Sequence, residues 1–255
     1  MLSIFSKFIL TKLIAILNIT PDSFFDGGKY NAPDLALQQA QKLIDDGADI
    51  IDIGAESTRP GAIPITTEEE WKRLEQILPL IIKLAKNHNV KISLDSRNYQ
   101  TIYKALECGG IDIINDVSGF SHPKMIELAA QSGKKIIVMH NLGIPADKNK
   151  IIPTDLDVIE VIIEWMAERL NLLLQSGVKQ QQIIFDPGIG FGKNAAQSMA
   201  IIKNIERLKI FNLPLLIGHS RKSFLDYNEN KTAEISSYLA KKHIEYLRVH
   251  NICQK

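Results

Sequence analysis

The chain has 255 residues, 45% of them hydrophobic and 23% charged, with a formal net charge of +1. That length suits one α/β barrel domain, and the mix is that of a globular protein rather than a disordered one. The near-neutral balance leaves no basic footprint for nucleic acid and no attraction to anionic membranes.

The opening segment MLSIFSKFIL is apolar, but Lys7 and Lys12 interrupt it and no small-residue cleavage site follows. Residues 1–11 are therefore assigned as an N-terminal extension of a single domain, 1–255. No run of about 18 uncharged apolar residues is present to span a bilayer. The two cysteines, Cys108 and Cys253, stand outside any metal-binding spacing and read as free thiols of a reduced compartment. A cytoplasmic location is expected.

Along the chain, short apolar blocks alternate with longer amphipathic stretches, the pattern of repeated βα units. The blocks are Leu13–Leu17, Asp49–Ile53, Lys91–Leu94, Asp112–Ile114, Lys135–Met139, Ile183–Phe185, Leu213–Ile217 and Tyr246–Val249. Near-continuous runs such as IIVM suit strands buried on both faces of a parallel sheet. Trp71, Leu74, Leu78, Ile81 and Ala85 predict one helix bent at Pro79. Val158, Ile162, Trp165 and Met166 predict another, and Met199, Ile202 and Ile205 a third. Gly47, Gly133 and Gly177 close helices and lead into strands. Eight such strands in about 250 residues favour a (β/α)8 TIM barrel over an open doubly wound sheet. The chain ends six residues after the eighth block, so the barrel is expected to lack its final C-terminal helix.

Polar residues follow these apolar blocks in order: Asn18, Glu56 with Ser57, Thr58 and Arg59, Asp95, Asn115, His140, Asp186, His219 to Lys222, and Arg248 with His250. In a barrel of this kind the carboxyl ends of the strands carry the chemistry. Asp95, Asn115 and Asp186 offer acceptors to a planar ligand rich in N–H donors, and a carboxylate pairs well with a guanidine-like edge. Arg59, Arg221, Lys222, Arg248 and His250 suit phosphate or carboxylate. The Gly- and Pro-rich segments 21–33 and 54–64 read as lids over the same mouth. His140 and His219 read as structural. The glycines of DPGIGFGK fit neither the P-loop nor the dinucleotide spacing and read as places where backbone approaches a flat ligand.

The motifs NITPDSFFDGG (18–28), GAESTRPGA (54–62), NDVSG (115–119), DPGIGFGK (186–193), GHSRKSF (218–224) and RVH (248–250) together resemble dihydropteroate synthases, the pterin-binding enzymes of folate synthesis. The resemblance covers about residues 13–250. It implies a pterin pocket of Asp95, Asn115, Asp186, Lys222, Met139 and Phe191, with Mg2+ held by Asn18 together with the substrate diphosphate. It also implies that Asn18, Arg59, Arg248 and His250 grip that diphosphate. The p-aminobenzoate site would comprise Phe24, Thr58, Arg59, Pro60 and Ser223, the last at the start of the helix after strand seven. Asp26, Lys222, Arg248 and His250 would act in the chemistry, Asp26 by stabilising a cationic methylene.

The substrates so implied are a pterin diphosphate and p-aminobenzoate, with competition by sulfonamides. A homodimer is implied too, against which the short C-terminus argues. The apolar stretch Leu2–Leu10 or a partner chain is expected to cover the seam left by the last helix. Two other readings share part of the pattern, a pterin-dependent methyltransferase and a non-catalytic pterin-binding relative.

Overall fold

The computed structural model describes residues 11–20, 32–57, 61–147 and 149–252. Eight parallel strands alternate with helices over these residues. The strands are β1 (Lys12–Asn18), β2 (Ile50–Gly54), β3 (Lys91–Asp95), β4 (Ile113–Asp116), β5 (Lys135–Met139), β6 (Ile183–Asp186), β7 (Leu216–Ile217) and β8 (Tyr246–Val249). Their order in the sheet is β6-β5-β4-β3-β2-β1-β8-β7. A parallel bridge between Phe185 and Leu215 joins β6 to the chain entering β7, so the sheet curls into a barrel. This is the expected TIM barrel.

The helices among the described residues are α1 (Ala32–Asp45), α2 (Thr67–Leu74), α3 (Leu78–Asn87), α4 (Tyr99–Glu107), α5 (Pro123–Ser132), α6 (Val158–Gln175), α7 (Ala195–Lys203) and α8 (Glu229–Lys241). Local chemistry sets their ends. Asp157 caps α6 by accepting from Ile159 N at 2.8 Å. Asn194 and Gln197 cap α7 reciprocally, each side chain accepting from the other's backbone N–H. Gly133 ends α5 in the left-handed region at φ 63°, where a residue with a Cβ is disfavoured.

Three expectations change. The single helix bent at Pro79 is two helices, α2 and α3, with Pro79 in the first turn of α3. There the missing N–H is one of those the helix leaves unpaired in any case. Ile205 lies beyond α7, buried in a 3-10 turn (Ile205–Phe211). β7 is shorter than Leu213–Ile217 because Pro214 has no N–H for the ladder. Its carbonyl still accepts from Phe185 N at 2.9 Å.

Alternation along each strand builds two apolar shells. Ala15, Leu17, Ile51, Ile53, Leu94, Ile114, Val138, Phe185, Ile217 and Leu247 face outward and pack beneath the helices. Ile14, Ile50, Ile113, Ile137, Ile184, Leu216 and Tyr246 fill the barrel interior at its amino-terminal end. Four of the polar residues expected just after the strands, Asn18, Asp95, Asn115 and Asp186, lie within the ladder itself. The backbone pairing runs on regardless of side-chain polarity.

Candidate active site

One rung above the interior apolar layer, inward positions turn polar. Arg248 of β8 reaches into the barrel, where its Nε donates to Asp52 Oδ2 and its Nη2 to Asp95 Oδ2, both at 2.6 Å. Asn115 Nδ2 donates to the same Asp52 Oδ2 at 3.0 Å. On β6, Asp186 Oδ1 accepts from Gly188 N at 2.7 Å. β2 and β7 leave space here. A Cβ at Gly54 would lie 3.6 Å from Asp95 Cβ and 3.8 Å from Asn18 Oδ1, and one at Gly218 would lie 3.9 Å from Asp186 Oδ2 and 4.0 Å from Arg248 Cβ. Asn18, Asp95, Asp186 and Arg248 therefore lie together at the carboxyl end of the barrel.

The electrostatics of this layer follow from burial. Burial pushes the Asp95 carboxyl up to about 7; the nearby charges of Asp52, Asp116 and Glu70 add to this and Arg248 opposes it. Asp186 is also raised by burial, against the Gly188 N–H and the charges of Lys222, Arg248 and Lys193. Burial works against the charge of Arg248, but the carboxylates of Asp52 and Asp95 outweigh it, so the guanidinium stays protonated.

The DPGIGFGK loop leads from β6 past the pocket. Gly188, Gly190 and Gly192 all have positive φ, at 66°, 80° and 72°. Their need is steric. A Cβ on Gly188 would sit 1.9 Å from His140 O, and one on Gly192 2.5 Å from Leu142 Cγ. The close approach thus corrects the expectation of backbone against a flat ligand: at these two glycines it is made to the chain's own loop after β5.

Lys193 holds the loop shut. Its Nζ contacts His140 Nδ1 at 2.7 Å and donates to Phe191 O at 2.9 Å and Gly188 O at 3.0 Å. Burial lowers Lys193 to about 7, and burial followed by the Lys193 charge lowers His140 to about 3, leaving a neutral ring. His140 is thus buried and held by Lys193. Phe191 carries Lys222 Nζ over its ring at 4.6 Å from the centroid, and Met139 ends β5 beside Gly188. The structure thus brings Met139, Phe191 and Lys222 to the same mouth.

The β2 side is braced by a fork: Arg97 Nε and Nη2 donate to the two Glu56 oxygens at 2.9 and 2.8 Å. Arg73 Nη1 donates to Ala55 O at 2.9 Å. Below them Glu70 is buried and its carboxyl is raised by that burial, against hydrogen bonds from Thr101, Asn98 and Ser96. Phe24 and Asp26 of the first lid, and Thr58, Arg59 and Pro60 of the second, lie outside the described residues.

At the β7 end His219 is buried, with Nε2 2.8 Å from Ser236 Oγ, as a structural histidine would be. His250 donates its backbone N–H to Ser220 Oγ at 3.2 Å, and its Nδ1 lies 3.2 Å from the same oxygen. Ser223 does not open the helix after β7. It begins a 3-10 turn (Ser223–Leu225), and α8 starts at Glu229 under its own cap Asn228. Tyr227 and Asp226, both at positive φ, prevent one continuous helix. The helix-terminus argument for an anion at Ser223 therefore fails, although the residue remains exposed near the mouth. Arg221 pairs with Glu229 at 3.0 Å.

Sequence reading missed Asp52 and Lys193. Asp52 had a legible signal, a charge at an inward position of the otherwise apolar IIDIG. Lys193 had none, because a lysine ending a glycine loop looks like any exposed cation.

Among the described residues no three His, Cys, Asp or Glu side chains group to hold a metal. Asn18 supplies one hard oxygen donor at the carboxyl end of the barrel. That donor suits a Mg2+ arriving on a phosphate substrate with its own waters, rather than one caged by protein.

The chain matches the pterin binding enzyme family over residues 14–250. It is 37% identical to a dihydropteroate synthase of Clostridium beijerinckii, across 96% of this chain and 90% of that protein. It is 36% identical to a probable bifunctional folylpolyglutamate synthase/dihydropteroate synthase of Haloferax volcanii, of which it spans only 29%. Among solved structures, the dihydropteroate synthase of Anaplasma phagocytophilum with 6-hydroxymethylpterin-monophosphate is 40% identical, with a TM-score of 0.87 over 96% of this chain and 94% of that one. The Xanthomonas albilineans enzyme with 4-aminobenzoic acid is 27% identical, with a TM-score of 0.87 over 96% and 89%. On its sequence and its barrel alike, this chain belongs to the dihydropteroate synthase family of pterin-binding enzymes.

Proposed function

We propose that the chain is a transferase that condenses 6-hydroxymethyl-7,8-dihydropterin diphosphate with p-aminobenzoate, giving 7,8-dihydropteroate and diphosphate. The observation that carries this reading is the set of acceptors at the carboxyl end of the barrel, buried Asn115 and Asp186 with half-buried Asp95, under a cationic rim. A ring edge rich in N–H donors is the chemical complement of such a set.

The pterin would seat between these acceptors, with Lys222 and Phe191 along its side. The methylene C–O bond to diphosphate breaks, a C–N bond to the arylamine forms, and the amine loses a proton. Arylamines are weak nucleophiles, so anion stabilisation at the departing diphosphate matters most. His250, steadied by Ser220, and Lys222 stand where that charge develops. Arg248 already braces Asp52 and Asp95 through Nε and Nη2, which leaves Nη1 as the nitrogen for a diphosphate role. Asn18 would hold Mg2+, which would neutralise diphosphate charge when bound. The roles of Phe24, Asp26, Thr58, Arg59, Pro60 and Ser223 at the lids and the benzoate site belong to the same proposal. So do a cytoplasmic location, a homodimeric state and inhibition by sulfonamides; among the described residues no helix is long and apolar enough to cross a membrane.

The test is diphosphate release from the pterin diphosphate with Mg2+, with and without p-aminobenzoate. Release that depends on p-aminobenzoate and yields dihydropteroate is expected. Pterin binding without product would instead identify a non-catalytic member of the family.

A further inference from the structure

Asp52 is a wholly buried charge in the middle of β2, two residues before the strand end. Its Oδ2 takes two hydrogen bonds, from Arg248 Nε at 2.6 Å and Asn115 Nδ2 at 3.0 Å. Its Oδ1 is buried with no partner among the described residues, as is Oγ of Ser93, whose Cα pairs with that of Asp52 across β2 and β3. Burial of a carboxylate with an unmet acceptor is costly, and a barrel interior could be filled by an isoleucine, as it is one rung below.

We infer that Asp52 is a positioning residue of the pterin pocket, which fixes the amide face that Asn115 turns to the ligand and sets the plane of Arg248. The inference rests on the pterin reading above. A primary amide can turn either its oxygen or its NH2 group toward a ligand. A carboxylate only accepts, so Asp52 draws the Asn115 Nδ2 hydrogens toward β2 and leaves Oδ1 as the amide atom for the ligand. The pocket then presents acceptors from β3, β4 and β6 together, through Asp95, Asn115 and Asp186. Asp52 also shares Arg248 with Asp95. Without Asp52 the guanidinium would turn wholly onto Asp95 and compete with the ligand for that carboxylate.

The test is a double-mutant cycle on pterin affinity, read by calorimetry with 6-hydroxymethylpterin monophosphate. Asp52→Asn keeps the shape but lets residue 52 donate as well as accept, so the Asn115 amide can turn over. Affinity is expected to fall about tenfold to a hundredfold, the worth of one hydrogen bond to a charged group. In an Asn115→Ala background the same change should cost several-fold less, because part of its route is gone. Equal losses in both backgrounds, or an unchanged affinity in the single variant, overturn the inference.

A measurement without substitution at position 52 guards against misfolding of the variant. The Asn115 side-chain NH2 protons, assigned by their loss in Asn115→Ala, should exchange slowly with solvent both before and after pterin binds. Fast exchange overturns the lock on Asn115. Failure of the unaltered protein to bind the pterin at all would overturn the proposed function itself, and the inference with it.

Discussion

The two ends of the barrel interior are built by the same strands one or two rungs apart, yet they do opposite work. At the amino-terminal end Ile14, Ile50, Ile113, Ile137, Ile184 and Leu216 interdigitate as a floor that needs no partner but carbon. At the carboxyl end Asp52, Asp95, Asn115, Asp186 and Arg248 take inward positions; Arg248 and Asn115 bond the carboxylates of Asp52 and Asp95, while Asp186 accepts from Gly188 N. Ile184 and Asp186, like Ile113 and Asn115, lie only two positions apart along their strands. The apolar rung stabilises the fold by removing area from water, whereas the polar rung spends folding stability on burying charge. A parallel barrel separates the two because every strand ends at the same face.

Substitutions at the two rungs should therefore separate binding from stability. The largest effect is expected at Asp186→Ala, which removes a buried acceptor from the pocket and frees the Gly188 N–H. Pterin affinity should fall by more than about a hundredfold with the circular-dichroism spectrum intact. Retained binding would remove Asp186 from the pocket. Ile184→Ala, two residues away, should do the reverse. It should cost about 2–5 kcal/mol of stability in denaturant titration while KM for the pterin diphosphate stays unchanged. A large KM effect from Ile184→Ala would break the division between the rungs.

That division also explains what was legible in the sequence. Alternating apolar blocks gave all eight strands and the barrel, because burial of strands on both faces leaves a strong signal. Asp95, Asn115, Asp186 and Arg248 were found because each interrupts or directly follows such a block. Helix breaks were less legible. Pro79 predicts a bend, but a first-turn proline is equally at home starting a new helix, and only packing decides between them. Ser223 was set at a helix start by the resemblance alone, and Asp226 and Tyr227 at positive φ interrupt the chain before α8 begins. The Arg248–Asp52 contact joins residues 196 positions apart in the chain, and no local pattern encodes it.

A smaller effect should arise at Lys193, which belongs to neither rung but clamps the loop that follows β6. Lys193→Met keeps the length of the side chain and removes its hydrogen bonds to His140, Gly188 and Phe191. Phe191 should then lose its fixed place beneath Lys222. A rise of about tenfold in KM for the pterin substrate, with p-aminobenzoate KM unchanged, is expected from the loss of a few buried hydrogen bonds. Equal rises for both substrates would place the loop's influence beyond the pterin pocket.

The mildest prediction concerns pH and tests whether the polar rung holds a proton at rest. A free aspartate ionises near 3.8, whereas burial pushes Asp95 up to about 7. Between those values the unfolded chain has lost the proton that the folded protein keeps. The folded state then binds more protons, so this group's contribution to stability falls as pH rises from about 3.8 to 7 and is level above. A ligand offering N–H donors prefers the carboxylate, so pterin binding should expel the proton. Affinity should accordingly rise by up to about tenfold per pH unit on approaching 7 from below, and flatten above it. Asp95→Asn should bind more weakly and lose this slope, apart from any part that Asp186 supplies. Calorimetry in two buffers of different ionisation enthalpy counts the protons released. If the unaltered protein shows no steeper affinity slope across this range than Asp95→Asn, and releases no more protons, Asp95 is already ionised at rest. Arg248 would then dominate burial in setting its charge.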